Sequence, residues 1–136
     1  MQAKSLILAL SCLLFATACD ENAPTGPTVP LNQEFSLAPG EVATIQDTSV
    51  RIEFVGVSGD SRCPADALCI QGGDAIVHIR TSGDLAREYD MHTGDEQRAV
   101  IQHGNVRIAL INLQPYPFSS RTIQPGEYRA SLRVTR

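Results

Sequence analysis

The sequence has little of what most functional classes require. Its 136 residues carry 11 Lys and Arg against 15 Asp and Glu, and no segment concentrates the basic ones, which argues against nucleic acid as a partner. There is no G-x-S-x-G nucleophile motif and no glycine-rich phosphate loop, so no motif supports an enzyme and no catalytic residue is assigned. No apolar run reaches the ~20 residues that a membrane-spanning helix needs.

The N-terminus has the layout of a bacterial lipoprotein signal. Lys4 precedes an apolar run, and the small residues Ala16-Thr17-Ala18 lead into Cys19. We expect residues 1–18 to be a signal peptide that is removed, and the Cys19 thiol to carry a diacylglycerol, with palmitate among its acyl chains. The alternative is a secretory signal cut nearby, which would leave Cys19 as a plain thiol. Lipidation would hold the mature chain on a cell membrane, outside the cytoplasm.

The charge of the mature chain bears on how it would contact that membrane. Removing residues 1–18 takes away Lys4 and no acidic residue, so Lys and Arg fall from 11 to 10 against 15 Asp and Glu. An acidic chain has no electrostatic attraction to anionic lipid. The N-terminal acyl chains would therefore have to provide the membrane attachment.

Two of the four cysteines of the chain are predicted to form a disulfide. Cys12 leaves with the signal peptide and Cys19 is acylated, which leaves Cys63 and Cys69 in an oxidising compartment, where they most simply pair. The ring is short, and a chain-entropy model gives it roughly 2–2.5 kcal/mol. The bond is therefore expected to fix the shape of a loop more than to hold the whole domain together.

Composition divides the mature chain into a tether and a domain. Residues 22–30 contain three prolines and almost nothing to bury. Pro-rich segments stay extended, so we expect residues 19–32 to comprise the lipidated cysteine and a semi-rigid tether. Residues 33–136 are expected to form a single domain, a size at which one hydrophobic core is ordinary.

Alternating apolar and polar residues predict an all-β domain, an antiparallel sandwich or barrel of about seven or eight strands with one disulfide-closed loop. Residues 128–134 show the alternation most clearly, which predicts one buried and one exposed face. Pro39-Gly40 lies between the first two strands and predicts a hairpin turn. The predicted strands cover residues 33–37, 42–46, 50–57, 75–81, 85–91, 99–102, 106–113 and 128–134.

The disulfide loop is the candidate binding site. It concentrates Asp60, Arg62, Asp66 and Asp74 around the two cysteines, and loops held on a rigid scaffold commonly carry function. The structural alternative is that Arg62 pairs with a nearby aspartate and that Asp74 caps a turn.

Three histidines keep a metal site open as a second possibility. His78, His92 and His103 could bind zinc or copper outside the cytoplasm, together with an aspartate. None is spaced at i, i+2 or i, i+4 from another, so convergence depends on the fold. His103 precedes a predicted turn and is expected to be solvated, and His78 is expected at an exposed strand position. His92, at a strand end, is the strongest candidate ligand.

The sequence around the cysteines resembles a recurring pattern in uncharacterised small bacterial lipoproteins and secreted proteins. Residues 60–69 read D-S-R-C-P-A-D-A-L-C and residues 73–77 read G-D-A-I-V, against a pattern of D-S-R-C-P-x-D-x-x-C and G-D/E-A-x-V. The chain departs from it at Gln71-Gly72, where such proteins often have an aromatic residue followed by Ala. The resemblance extends from about Val50 to the C-terminus, and it implies a lipoprotein β-domain but no activity.

These features together favour a lipid-anchored bacterial envelope protein whose β-domain is a binding module. Its partner would be another envelope protein, a cell-wall component or a small ligand, and no cofactor is implied. The alternative function is a periplasmic zinc- or copper-binding protein that uses His and Asp side chains. A third possibility is a purely structural spacer of the envelope.

Overall fold

Nine β-strands form two sheets in the computed structural model, which describes residues 26–83 and 85–136. The predicted all-β class and disulfide-closed loop are confirmed, and of the two predicted architectures the two sheets correspond to the sandwich. The predicted signal peptide, Cys19 and the first part of the tether lie outside the described residues. The strands are β1 Thr28–Val29, β2 Glu34–Leu37, β3 Val42–Ile45, β4 Arg51–Ser58, β5 Ile76–Ser82, β6 Arg87–His92, β7 Val100–His103, β8 Val106–Gln114 and β9 Arg129–Thr135.

Neither sheet is formed only by strands that follow one another in the sequence. One has the order β1-β3-β4-β5-β6 and the other β2-β9-β8-β7. β1 pairs with β3 in parallel, and the other pairs are antiparallel. A short 3-10 helix, Pro125–Glu127, precedes β9.

The core lies between the two sheets and follows the alternation read from the sequence. In β9, Ala130, Leu132 and Val134 are buried, whereas Arg129 and Arg133 are exposed. This is the pattern of a strand with one face against the core and one against solvent. The largest fully buried side chains are Phe54, Leu37, Ile45, Ile52, Ile79, Met91, Ile108, Leu113, Leu132, Val77, Val106 and Val134.

The predicted hairpin at Pro39-Gly40 is wrong, although a turn is present. The Glu41 amide donates to the Ala38 carbonyl at 3.0 Å, and Gly40 has a φ of 84°, as the third position of a type II turn requires. The strands on either side belong to different sheets, because β2 pairs with β9 and β3 pairs with β4. The turn is therefore a corner from one sheet to the other.

The last part of the predicted tether belongs to the β-domain. Val29 is only 5% exposed and lies in the core, and the Asn32 amide donates to the Val134 carbonyl at 2.7 Å. Thr28–Val29 pair with the free edge of β3, which satisfies backbone groups on both strands. The ordered fold therefore begins before Gln33, and the prediction that the tether extends to Asn32 is corrected accordingly.

Three loops that surround the candidate site lie at one end of the sandwich, which we call the loop end. β4 ends there at Ser58 and β5 begins there at Ile76, so the disulfide loop spans residues 59–75. The connection between β8 and β9, residues 115–128, leaves from the same end, since the Ala65 amide donates to the Pro117 carbonyl at 2.9 Å. Residues 93–99, between β6 and β7, complete it, because the Thr93 amide donates to the Ala75 carbonyl.

Candidate functional site

Cys63 and Cys69 form a disulfide with a Cα–Cα distance of 6.0 Å, as the sequence predicts. Disulfides form and persist in oxidising compartments. The bond therefore indicates an extracytoplasmic environment for this domain.

Arg62 is a buried cation that joins the disulfide loop to the end of β8. Its Nη2 atom lies 2.7 Å from Asp60 Oδ2, and its Nη1 atom donates to the Leu113 carbonyl at 2.6 Å. Nη2 also donates to the Pro115 carbonyl at 3.0 Å, and the guanidinium lies 5.7 Å from the ring centre of Tyr116. The guanidinium thus satisfies one carbonyl near the end of β8 and one in the loop that follows it.

Asp60 completes this buried group. Burial favours its neutral form, but hydrogen bonds from Arg62 and Tyr128 outweigh burial and lower the pKa of Asp60 below its ordinary value. The Tyr128 hydroxyl donates to Asp60 Oδ2 at 2.9 Å, and burial together with this bond raises the pKa of Tyr128 to about 12. The interpretation that Arg62 pairs with a nearby aspartate therefore describes the observed contacts, with Asp60 as the partner.

We expect Asp60 to make the free energy of unfolding of the domain depend on pH in the acidic range. Its pKa is lowered from 3.8 on folding, so the ionised carboxylate stabilises the fold above that value, and this contribution disappears as the pH falls below it. Urea unfolding should show that Asp60→Asn is less stable than wild type at neutral pH and that the difference shrinks towards about pH 2. A difference that stays constant across this range would contradict the assignment.

Asp66 holds the disulfide loop to the second loop at the same end. Its carboxylate accepts hydrogen bonds from the Ser119 amide at 2.8 Å and the Ser119 hydroxyl at 2.6 Å, which lower the pKa of Asp66. Arg62 and Asp66 therefore fix the position of the loop independently of the disulfide.

Asp74 lies apart from the other charged residues of the loop and contacts His92. Its Oδ2 atom accepts from His92 Nδ1 at 2.5 Å, and its Oδ1 atom accepts from the Gly94 amide at 2.8 Å. Burial opposes ionisation, but these bonds outweigh it and lower the pKa of Asp74. Arg98 donates to His92 Nε2, and because a guanidinium can only donate, the ring proton lies on Nδ1. Both ring nitrogens are thus engaged within the protein.

The three histidines do not converge. His78 contacts Asp90 and Ser58, each at 2.7 Å, at a partly exposed strand position. The expectation that His103 is solvated is wrong: it is 4% exposed, and its Nδ1 atom lies 3.1 Å from the Tyr89 hydroxyl. Its position in β7 faces the core, and burial lowers its pKa. Within residues 26–83 and 85–136, no group of three or more His, Cys, Asp or Glu is placed to hold a metal ion.

A cleft of about 240 Å³ opens between the disulfide loop and β8. It lies where residues 93–99 cross from one sheet to the other, beside a β-bulge between Leu110 and Asn112. Its lining combines backbone, polar and apolar groups from every loop described above. The lining residues are Arg62, Cys63, Gly72, Gly73, His92, Thr93, Ala99, Leu110, Ile111, Asn112 and Tyr116.

Four exposed apolar side chains lie at the loop end, and we call them the apolar tip: Leu68, Ile70, Tyr116 and Phe118. Leu68 and Ile70 are fully exposed on either side of Cys69, and Tyr116 and Phe118 are about half exposed. Sequence reasoning missed this feature. The signal was present, because apolar residues beside a cysteine of a short closed ring have little freedom to turn towards the core.

No helix within the described part of the chain is long and apolar enough to cross a membrane. No protein-family model matches the chain, and comparisons with curated proteins and with solved structures also give no match.

Proposed function

We propose that this protein is a lipid-anchored bacterial envelope protein whose β-domain binds a partner through the cleft beside the disulfide loop. The signal-like N-terminus supports lipid attachment at Cys19, and the disulfide supports a location outside the cytoplasm. The observation that carries the binding role is the cleft itself, whose walls are held in place before any ligand arrives.

Each wall of the cleft is held by a contact of its own. Arg62 is fixed by Asp60 and by carbonyls of β8 and the following loop, and Cys63 is fixed by the disulfide. The His92 ring is held between Asp74 and Arg98. A site that is already ordered loses less conformational entropy when it binds a ligand. This arrangement therefore favours binding over a loop that must fold around its partner.

The size of the cleft indicates what it would hold. Pockets that enclose a drug-sized molecule have volumes of about 300–1,000 Å³, and this cleft, at about 240 Å³, is smaller. It suits one protruding group, such as a side chain or a sugar substituent, of a larger partner. An envelope protein or a cell-wall polymer presents groups of this kind, so the partner is a macromolecule of the envelope.

The chemistry of the lining favours an uncharged group with an apolar body. The charge of Arg62 is compensated by Asp60, and both nitrogens of His92 are engaged. Ile111 and Tyr116 supply apolar surface, and Asn112 uses its carbonyl oxygen to accept from the Leu113 amide. The side-chain NH₂ of Asn112 can therefore donate to an acceptor on the ligand.

Site-specific photo-crosslinking in intact bacterial cells tests this function. A photoreactive amino acid at Ile111, which is 42% exposed and lines the cleft, is compared with one at Val55, which is 40% exposed and lies outside it. Both positions lie at β-bulges, so the two variants are matched in setting. We expect a discrete crosslinked product from position 111 and not from position 55. The same products from both positions, or none from position 111, would contradict a binding role for the cleft.

A further inference from the structure

We propose that the apolar tip rests in the interfacial region of the lipid bilayer that holds Cys19, so that the domain contacts the membrane directly as well as through its tether. This inference rests on the lipid attachment in the proposed function and does not depend on the ligand of the cleft, with which the tip shares Tyr116. The occupant of the tip is the lipid surface itself.

The side chains of the apolar tip are exposed to solvent instead of packing in the core. Seven large apolar side chains are exposed among the described residues, and four of them form the tip. Transfer of such side chains from water into an apolar environment is favourable. Contiguous exposed apolar surface on a monomer commonly marks a contact with a protein or a membrane.

The path of the chain brings the N-terminal segment to the same end of the sandwich. β1 runs parallel to β3, and β3 runs antiparallel to β4, so the N-terminal side of β1 points the way β4 runs, towards Ser58 and the disulfide loop. Gly26 lies against the Val42 carbonyl so closely that a Cβ there would be 1.7 Å from the oxygen. Gly26, the first residue that the structure describes, therefore lies on the side of the loop end.

The remaining length of chain keeps that end close to the bilayer. Cys19 and Gly26 are seven residues apart in the sequence, a span of at most about 25 Å. Val42 pairs with Glu53, and from Glu53 the strand β4 continues to Ser58, about 15 Å further towards the loop end. The disulfide loop projects beyond Ser58. Most of the distance that the tether allows is thus occupied by the domain itself, and the tip reaches the lipid surface.

The charges around the tip allow an apolar contact without an electrostatic one. In residues 59–74 and 115–128 the charged side chains are four acidic residues and two arginines, so these loops have no attraction to anionic lipid. Each of them has a hydrogen-bond partner, so inserting the neighbouring apolar side chains leaves no charged group without a hydrogen bond. The contacts are Asp60–Arg62, Asp66–Ser119, Asp74–His92 and Arg121–Glu127. Binding of the tip should therefore not require anionic lipid.

The sequence contains no tryptophan, so a single introduced indole reports its own surroundings. The test uses the full-length lipidated protein in phosphatidylcholine vesicles with brominated acyl chains, carrying either Leu68→Trp in the tip or Leu85→Trp as control. Leu85 is 59% exposed and follows β5, which ends at the opposite end of the sandwich. We expect a blue shift and bromine quenching of the fluorescence at position 68, and neither at position 85.

Co-sedimentation of each variant with the vesicles separates the possible failures. Protein that co-sediments while the indole at position 68 stays unquenched would overturn the tip contact and leave the lipid attachment standing. Protein that does not co-sediment, and behaves like a Cys19→Ser variant, would overturn the lipid attachment and this inference with it. Equal quenching at positions 68 and 85 would also overturn the inference, because it would mean that no particular end of the domain faces the bilayer.

Discussion

Replacing Leu132 with aspartate is expected to abolish folding of the β-domain. Leu132 has no exposed surface and pairs across the sheet with Phe35 and Leu110 at the centre of the four-stranded sheet. Removing a buried leucine side chain alone costs about 2–5 kcal/mol. An isolated carboxylate in its place adds the cost of an unpaired buried charge, and the sum rivals the ~5–15 kcal/mol that stabilises a whole domain.

The matched control for this variant is the neighbouring residue on the opposite face of the same strand. Arg133 is exposed and lies 3.4 Å from Glu34, so Arg133→Ser should change the free energy of unfolding by less than about 1 kcal/mol. Circular dichroism and thermal melting distinguish the two variants. A wild-type melting curve for Leu132→Asp would mean that β9 does not face the core as described.

Replacing Arg62 with methionine is expected to destabilise the domain by about 3–5 kcal/mol. The substitution keeps an unbranched apolar side chain but removes the cation that faces Asp60, whose side chain is only 12% exposed. It also deprives the Leu113 and Pro115 carbonyls of their donor. The loss comes mainly from a buried carboxylate without its partner, and it is measured as a fall in the midpoint of urea unfolding.

A second substitution separates loss of the ion pair from loss of packing. Asp60→Asn combined with Arg62→Met removes both charges, so the double variant should be more stable than Arg62→Met alone. Equal destabilisation in both would show that the charge of Asp60 is not what makes Arg62 necessary.

Much of the strand pattern follows from residue alternation. The predicted strand at residues 128–134 is observed as β9 one residue later, and Leu132 is buried as the alternation requires. The alternation does not indicate the short β1, because Thr28–Val29 lie among prolines and two residues are too few to show a period. Strand pairing cannot be predicted in this way, because the alternation gives the face that a residue occupies but not the sheet. The turn at Pro39-Gly40 therefore predicts a hairpin although its two strands belong to different sheets.

In the candidate site, too, contacts between residues close in the sequence could be predicted, and contacts between distant residues could not. The pairing of Arg62 with a nearby aspartate could be predicted, because Asp60 is two residues away. The hydrogen bond from Tyr128 to Asp60 joins residues 68 positions apart, and no local pattern indicates it. The turn that follows His103 predicts exposure to solvent, whereas the strand that His103 ends directs its ring into the core.

If the cleft beside the disulfide loop binds an envelope partner, a side chain that fills the cleft should prevent that binding. A Cβ at Gly72, which lines the cleft, would meet no atom within 4 Å, and the same holds at Gly126, which lies outside the cleft. Crosslinking from position 111 is repeated with Gly72→Phe and with Gly126→Phe. We expect Gly72→Phe to abolish the crosslinked product and Gly126→Phe to preserve it. A product that persists at wild-type yield with Gly72→Phe would contradict the claim.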